Sequence, residues 1–241
     1  MEIKMNHVSK TYDKKVLDQV SLSISGYKTI GIIGKSGCGK STLLKLMAGI
    51  EPASQGQITI NGLDVSKEKR TYQDQISMVF QDHNLFPHLS LEENISLILE
   101  KVKGKNKTEA QTRAREELSH LHLEDQVDKK PDHVSGGQAQ RASIARALAT
   151  DPDIIFMDEP TAALDPLLSK EVLQAVLALK SSGKAFVFVT HELDFLQGFA
   201  DYVIFMDQGQ VVEQGPVAIL KAPQSDQLQE FLFKERSIYD H

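Results

Sequence analysis

The sequence predicts an α/β chain with a mostly parallel buried sheet, an antiparallel β-subdomain and a helical subdomain inserted in its connectivity. Two kinds of strand pattern and one long strand-free stretch carry that prediction. Ile30-Gly31-Ile32-Ile33, Ile154-Ile155-Phe156-Met157, Phe186-Val187-Phe188-Val189 and Val203-Ile204-Phe205-Met206 are apolar nearly throughout, as strands covered on both faces must be. Val20, Leu22 and Ile24 instead alternate with polar residues, as do Ile58 and Ile60, which run into the turn dipeptide Asn61-Gly62. From about Pro87 to Thr150 only helical spacing recurs.

Among the helices, Leu43, Met47 and Ile50 share one face behind the first buried strand. Thr108 opens a second helix, with Gln111 placed for a capping box and Ala110, Ala114, Leu118 and Leu121 forming its apolar stripe. Helices alternating with buried strands are the order of an α/β domain. At 241 residues the chain reads as a single domain, 1–241, with the helical subdomain at about 87–150.

Composition excludes several function classes. Lys and Arg number 27 against 33 Asp and Glu, a net charge of −6, which speaks against nucleic-acid binding as the main activity. No apolar run approaches the ~18 residues of a membrane span. The first residues lack the apolar core of a secretory signal, and the one cysteine, Cys38, can form no internal disulfide, so the cytosol is the expected compartment.

Gly34-Lys35-Ser36-Gly37-Cys38-Gly39-Lys40-Ser41, followed by Thr42, fits the phosphate-loop spacing G-x-x-x-x-G-K-[ST] between a buried strand and a helix. Glycines are needed because backbone N–H groups must turn inward around phosphate oxygens while the helix presents its positive end. Lys40 would bridge the terminal phosphates and Ser41 would offer its hydroxyl to Mg²⁺. Cys38, beside that helix N-terminus, is expected to favour thiolate, to alkylate readily and to be shielded by the ligand the loop binds. Asp158 and Glu159 emerge from a buried strand, where open α/β sheets bind ligands. Asp158 suits Mg²⁺, leaving Glu159 as general base for an attacking water.

Further segments occur in a telling order: Ser135-Gly136-Gly137-Gln138 with Arg141, then Ala163-Leu164-Asp165 after Glu159, then Thr190-His191 at a strand end. The set resembles the ATP-binding subunit of an ABC transporter over nearly the whole chain. That resemblance implies ATP and Mg²⁺ as ligands, and roles for single residues. Ser135 to Gln138 would contact the γ-phosphate of ATP held by a second copy. Tyr12 would stack on adenine, Gln81 would sense Mg²⁺ and water, His191 would hold the γ-phosphate, and Asp165 would reach across the dimer. Val134, Ala162 and Lys35 depart from the commonest pattern of the family without removing a phosphate donor.

The segments His191-Glu192-Leu193-Asp194-Phe195 and Asn84-Leu85-Phe86-Pro87-His88 look like the polar amino acid uptake branch. The resemblance thus implies a homodimer closing on ATP and transmembrane permease subunits docked near Leu85 to Leu89. It also implies a solute-binding protein in the full system, no nucleic-acid partner, and a peripheral place on the cytoplasmic face of the inner membrane. An exporter ATPase or a soluble ABC-type process is the alternative. Asn106-Lys107-Thr108-Glu109 resembles a guanine-reading motif, but Glu replaces its Asp and no buried strand precedes it, so it reads as a solvated helix entry.

Overall fold

In chain order, strands β1 (Glu2–Thr11), β2 (Lys15–Ser25) and β3 (Thr29–Gly34) lead into helix α1 (Lys40–Met47). Then come β4 (Gln55–Ile60), β5 (Leu63–Asp64), α2 (Lys69–Gln73) and β6 (Ile76–Val79), followed by α3 (Leu91–Lys101), α4 (Lys107–His120) and α5 (Gly136–Ala149). The remainder is β7 (Ile154–Asp158), α6 (Pro166–Ala178), β8 (Ala185–Val189), α7 (Leu193–Phe199), β9 (Tyr202–Asp207), β10 (Gln210–Pro216) and α8 (Asp226–Tyr239). This computed structural model describes residues 1–162 and 164–239, with side chains through 235 in α8. The chain divides into two compact units, Met1–Ile76 with Ala185–His241, and Ser77–Lys184.

The first unit holds an antiparallel sheet in the order β2-β1-β4-β5. Ile3 lies opposite Ile24 on one side and Ile60 on the other, and Met5 likewise faces Leu22 and Ile58. The period-2 pattern therefore stacks these apolar residues on one buried face, and a one-residue slip would expose all of them. A second sheet in this unit runs β10-β9-β3-β8. β3 is parallel to both β8 and β9, while β10 returns antiparallel to β9.

All residues of β3 and β8 are buried, as their unbroken apolar runs require. Gly31 stands inside β3 because α7 presses against it: a Cβ there would lie 2.2 Å from Leu196 Cδ1. Beside it, Phe188 packs on Phe195 and Phe199 with ring centroids 5.3 and 5.4 Å apart. Leu43 and Met47 of α1 are fully buried, but Ile50 does not continue their face. The helix ends at Met47, and Gly49 at φ 63° turns the chain away, leaving Ile50 exposed.

In the second unit, β7 is entirely buried and lies beside β6. Between Pro87 and Thr150 the regular elements among the described residues are all helical. α4 buries the expected stripe of Ala110, Ala114 and Leu118, with Leu121 just past its end. Its cap differs from expectation. Asn106, a stronger N-cap than threonine, accepts from Glu109 N at 2.9 Å, so the helix starts ahead of Thr108 and no Thr108–Gln111 box forms. The guanine-like motif is thereby a helix entry. Among the described residues, no helix is long and apolar enough to cross a membrane.

Phe188→Ala would empty the centre of the aromatic cluster. We expect a loss of about 3–5 kcal/mol, read as a lower urea midpoint with unchanged slope.

Candidate functional site

Gly34 ends β3 with φ 148°, and a Cβ on it would sit 2.1 Å from the Met206 carbonyl oxygen. Only glycine lets the chain leave the sheet there. Gly37 (φ 75°) and Gly39 (φ 105°) complete the turn, and Gly39 serves as N-cap of α1 without any side-chain cap. No side chain therefore caps the start of α1, and Lys35, Ser36 and Gly37 lie exposed around it. Lys40 is only 5% exposed, and its Nζ donates to the carbonyls of Gly34 at 2.9 Å and Lys35 at 3.2 Å. Ser41 and Thr42 follow on the first helical turn. An ammonium and helix-end N–H groups around glycine-rich backbone form a receptor for a polyphosphate.

A turn that sequence reasoning gave no role backs this loop. Gly209, between β9 and β10, donates to the Cys38 carbonyl at 3.0 Å and accepts from Asp18 N at 3.1 Å. At φ 77° a Cβ on Gly209 would meet the Val16 carbonyl at 2.4 Å. The dipeptide Gln208-Gly209 was its only local signal.

Cys38 corrects an expectation. Its thiol is 5% exposed and lies against Gly34. Burial pushes it above the ordinary thiol range, outweighing the nearby Lys40 charge and the backbone hydrogen bonds that favour thiolate. The helix N-terminus does not draw it toward thiolate, because burial of the side chain outweighs that effect.

Tyr12 and His191 belong to the same unit as the loop. Tyr12 is half-exposed just beyond β1, and its phenol donates to Glu51, which follows α1. Val189 pairs with Ile32 in the parallel register, so His191 and Gly34 each stand two residues beyond that pair at the carboxyl ends of their strands. Thr190, buried before it, accepts from Glu192 N at 3.0 Å and shapes the exit.

The second unit carries the other predicted residues. Asp158 closes β7 and is 6% exposed. Glu159 follows in left-handed backbone, φ 44°, although the residue before a proline favours extended backbone. Gln81 stands exposed two residues past β6. Ser135 caps α5 by accepting from Gln138 N at 3.2 Å, while Gln138 Oε1 accepts from Ser135 N at 3.0 Å. Gln138 is therefore a capping residue of its own helix, a role legible in S-x-x-Q spacing. Gly136 and Gly137 face Leu164 and Leu168, where a Cβ would come within 3.1 and 3.2 Å. Asp165 caps α6, its Oδ1 accepting from Leu167 N and Leu168 N. Ala163 lies outside the described residues.

Sequence reasoning placed Asn94 and Arg146 in family-like segments without a role and left out Gln140, and these residues hold the segment after Gln81. Gln140 of α5 donates to the Phe80 carbonyl and contacts His83 Nδ1, and Arg146 donates to the carbonyls of His83 and Asn84. Asn94, fully buried, accepts from Phe86 N and donates to the carbonyls of Phe86, Leu89 and Ser90. A polar residue inside an apolar helix stripe was the readable sign.

The ABC transporter family model matches residues 17–162. The chain belongs to that family. An arginine transport ATP-binding protein of Bacillus subtilis (strain 168), ArtM, is 42% identical over 237 residues, 96% of this chain and 99% of its own. The glutamate/aspartate import ATP-binding protein GltL of Escherichia coli (strain K12) is 41% identical over 96% of this chain and 98% of its own. The glutamine transport ATP-binding protein GlnQ of the same strain is 42% identical over 95% and 98%. Two solved structures superpose with a TM-score of 0.79 at 33% identity, covering 89% of this chain and 98% of theirs. One is a dimeric ATP-binding cassette in a post-hydrolysis state bound to ADP and Pi, the other a dimeric bacterial ABC transporter cassette.

Cys38 is expected to resist iodoacetamide in the native protein at pH 7.5 and to label fully in urea, with native labelling accelerating only as pH rises above the ordinary thiol range. Mass spectrometry of timed quenches measures this.

Proposed function

We propose that the chain is the ATP-hydrolysing subunit of an ABC importer of polar amino acids. The phosphate loop carries the ATPase part of that reading, because its uncapped helix end, its glycine geometry and Lys40 converge on one anion-binding cradle. Three relatives named for arginine, glutamate/aspartate and glutamine transport, each matched over nearly its full length, support the cargo class. A single nucleotide-binding domain over 1–241, with residues 87–150 as its helical subdomain, fits this role.

In this mechanism Gly34, Lys35, Ser36, Gly37, Cys38, Gly39, Lys40, Ser41 and Thr42 hold the phosphates, and Tyr12 carries adenine on its ring. Mg²⁺ suits the hard oxygens of Ser41, Gln81 and Asp158, and among the described residues no three His, Cys, Asp or Glu side chains form a separate metal cluster. Bound there, Mg²⁺ would neutralise charge on the phosphate oxygens. Glu159 orients the attacking water and accepts its proton, and its turned backbone suits a side chain that must be held at the strand end. His191 hydrogen-bonds the terminal phosphate. Ser135, Gly136, Gly137 and Gln138 complete the site of a second copy, with Asp165 at the same interface, so ATP shifts an open–closed equilibrium toward the dimer.

The dimer reading is supported by the two dimeric cassettes that the chain resembles. Permease subunits would dock on the segment 85–89, which Asn94 holds in a fixed shape. A solute-binding protein completes an importer, and the subunit works peripherally at the cytoplasmic face of the inner membrane, with no nucleic-acid partner.

Lys40→Ala should abolish tight ATP binding in calorimetry and ATP-dependent uptake of labelled arginine, glutamate or glutamine in cells that depend on this chain. Unchanged affinity would remove the phosphate-loop assignment; loss of binding with uptake intact would remove the transport assignment. Glu159→Gln should lower turnover by about 10²-fold or more while retaining ATP affinity. Light scattering should then find a dimer under saturating ATP, and a monomer would contradict the closing sandwich.

A further inference from the structure

Tyr12 is 50% exposed at the end of β1, an open position in which an aromatic ring ordinarily samples several rotamers. Two charged side chains hold it. Its hydroxyl donates to Glu51 Oε2, and Lys10 Nζ lies over the ring 4.8 Å from its centroid. Lys10 is itself locked: it is 8% exposed, donates to the Pro52 carbonyl at 2.9 Å and stands 3.1 Å from Glu51 Oε2. Glu51 follows α1 directly, and the backbone there folds onto the helix, with Ile50 N donating to the Lys45 carbonyl at 3.0 Å. The cluster thus ties Tyr12 to the far end of the helix whose first turn belongs to the phosphate loop.

We propose that Glu51 and Lys10 are positioning residues for the nucleotide base: Lys10 covers one face of the Tyr12 ring and Glu51 fixes its tilt, so that the other face is presented to adenine. This deepens the reading of Tyr12 as the base platform and rests on it. Preorganisation is the physical gain, since a ring already ordered loses no rotamer freedom when the base arrives. The charge states suit the device. Burial raises the Glu51 carboxyl, but hydrogen bonds from Tyr12 and Lys10 outweigh it and hold the group below its usual range. Burial and the Glu51 bond push the Tyr12 phenol up, so it remains a donor through neutral pH.

The test compares ATP with inorganic tripolyphosphate, which has no base, in calorimetry on the full chain. Glu51→Ala and Tyr12→Phe should each weaken ATP binding about 3- to 10-fold and leave tripolyphosphate binding unchanged. The double variant should be no weaker than either single one, because both remove the same bond. Glu51→Gln, which keeps an acceptor for the phenol, should recover most of the loss. Tripolyphosphate affinity falling with ATP affinity would overturn the proposal by marking Glu51 as general scaffolding. Tyr12→Ala separates the two readings: if it weakens ATP binding while Tyr12→Phe and Glu51→Ala do not, positioning fails and the platform stands. If Tyr12→Ala leaves ATP affinity intact, the platform itself fails.

Discussion

The close approach of the Gly34 backbone to the Met206 carbonyl is the constraint on which the phosphate loop depends. Parallel pairing of β3 with β9 brings the two chains together, and the absence of a Cβ lets β3 turn out of the sheet at that point. From this turn follow the inward path of the loop, the placement of Gly39 as a bare cap and the start of α1 at Lys40. The turn at Gly209 then closes from behind, so loop, helix and hairpin share one set of backbone contacts. Cys38 is buried by the same crowding, and that burial pushes its thiol above the ordinary range.

Polar side chains in this protein chiefly shape backbone. Asp165, Gln138, Ser135 and Asn106 all satisfy N–H groups at helix starts. Asn94 and Arg146 do the same for carbonyls in the segment that follows Gln81. Of these Asn94 is fully buried, so breaking any of its bonds leaves an unsatisfied group in a poorly solvated place.

Legibility tracked the range of the forces involved. The all-apolar runs at 30–33, 154–157, 186–189 and 203–206 became buried strands, because burial on both faces leaves no polar position to tolerate. The stripe of α4 was equally plain, yet its start was misread: Thr108 fits a capping box, but Asn106 lies two residues earlier and caps better. Ile50 extended a helical spacing past Met47, and only the left-handed turn at Gly49 broke it. The roles of Gln140, Arg146 and Gly209 left almost no local trace, since their partners lie far along the chain.

By itself the sequence determined the α/β class, the phosphate loop, the acidic strand end and the ordered motifs of an ABC ATPase. Each of these is written in residue types and spacings a few positions long, where local sterics and hydrogen-bond chemistry act. Only the tertiary structure decided that Cys38 is buried, that Gln138 caps its own helix, and that Lys10 and Glu51 converge on Tyr12. These depend on which distant segments meet, and burial, desolvation and side-chain pairing come into being with that meeting.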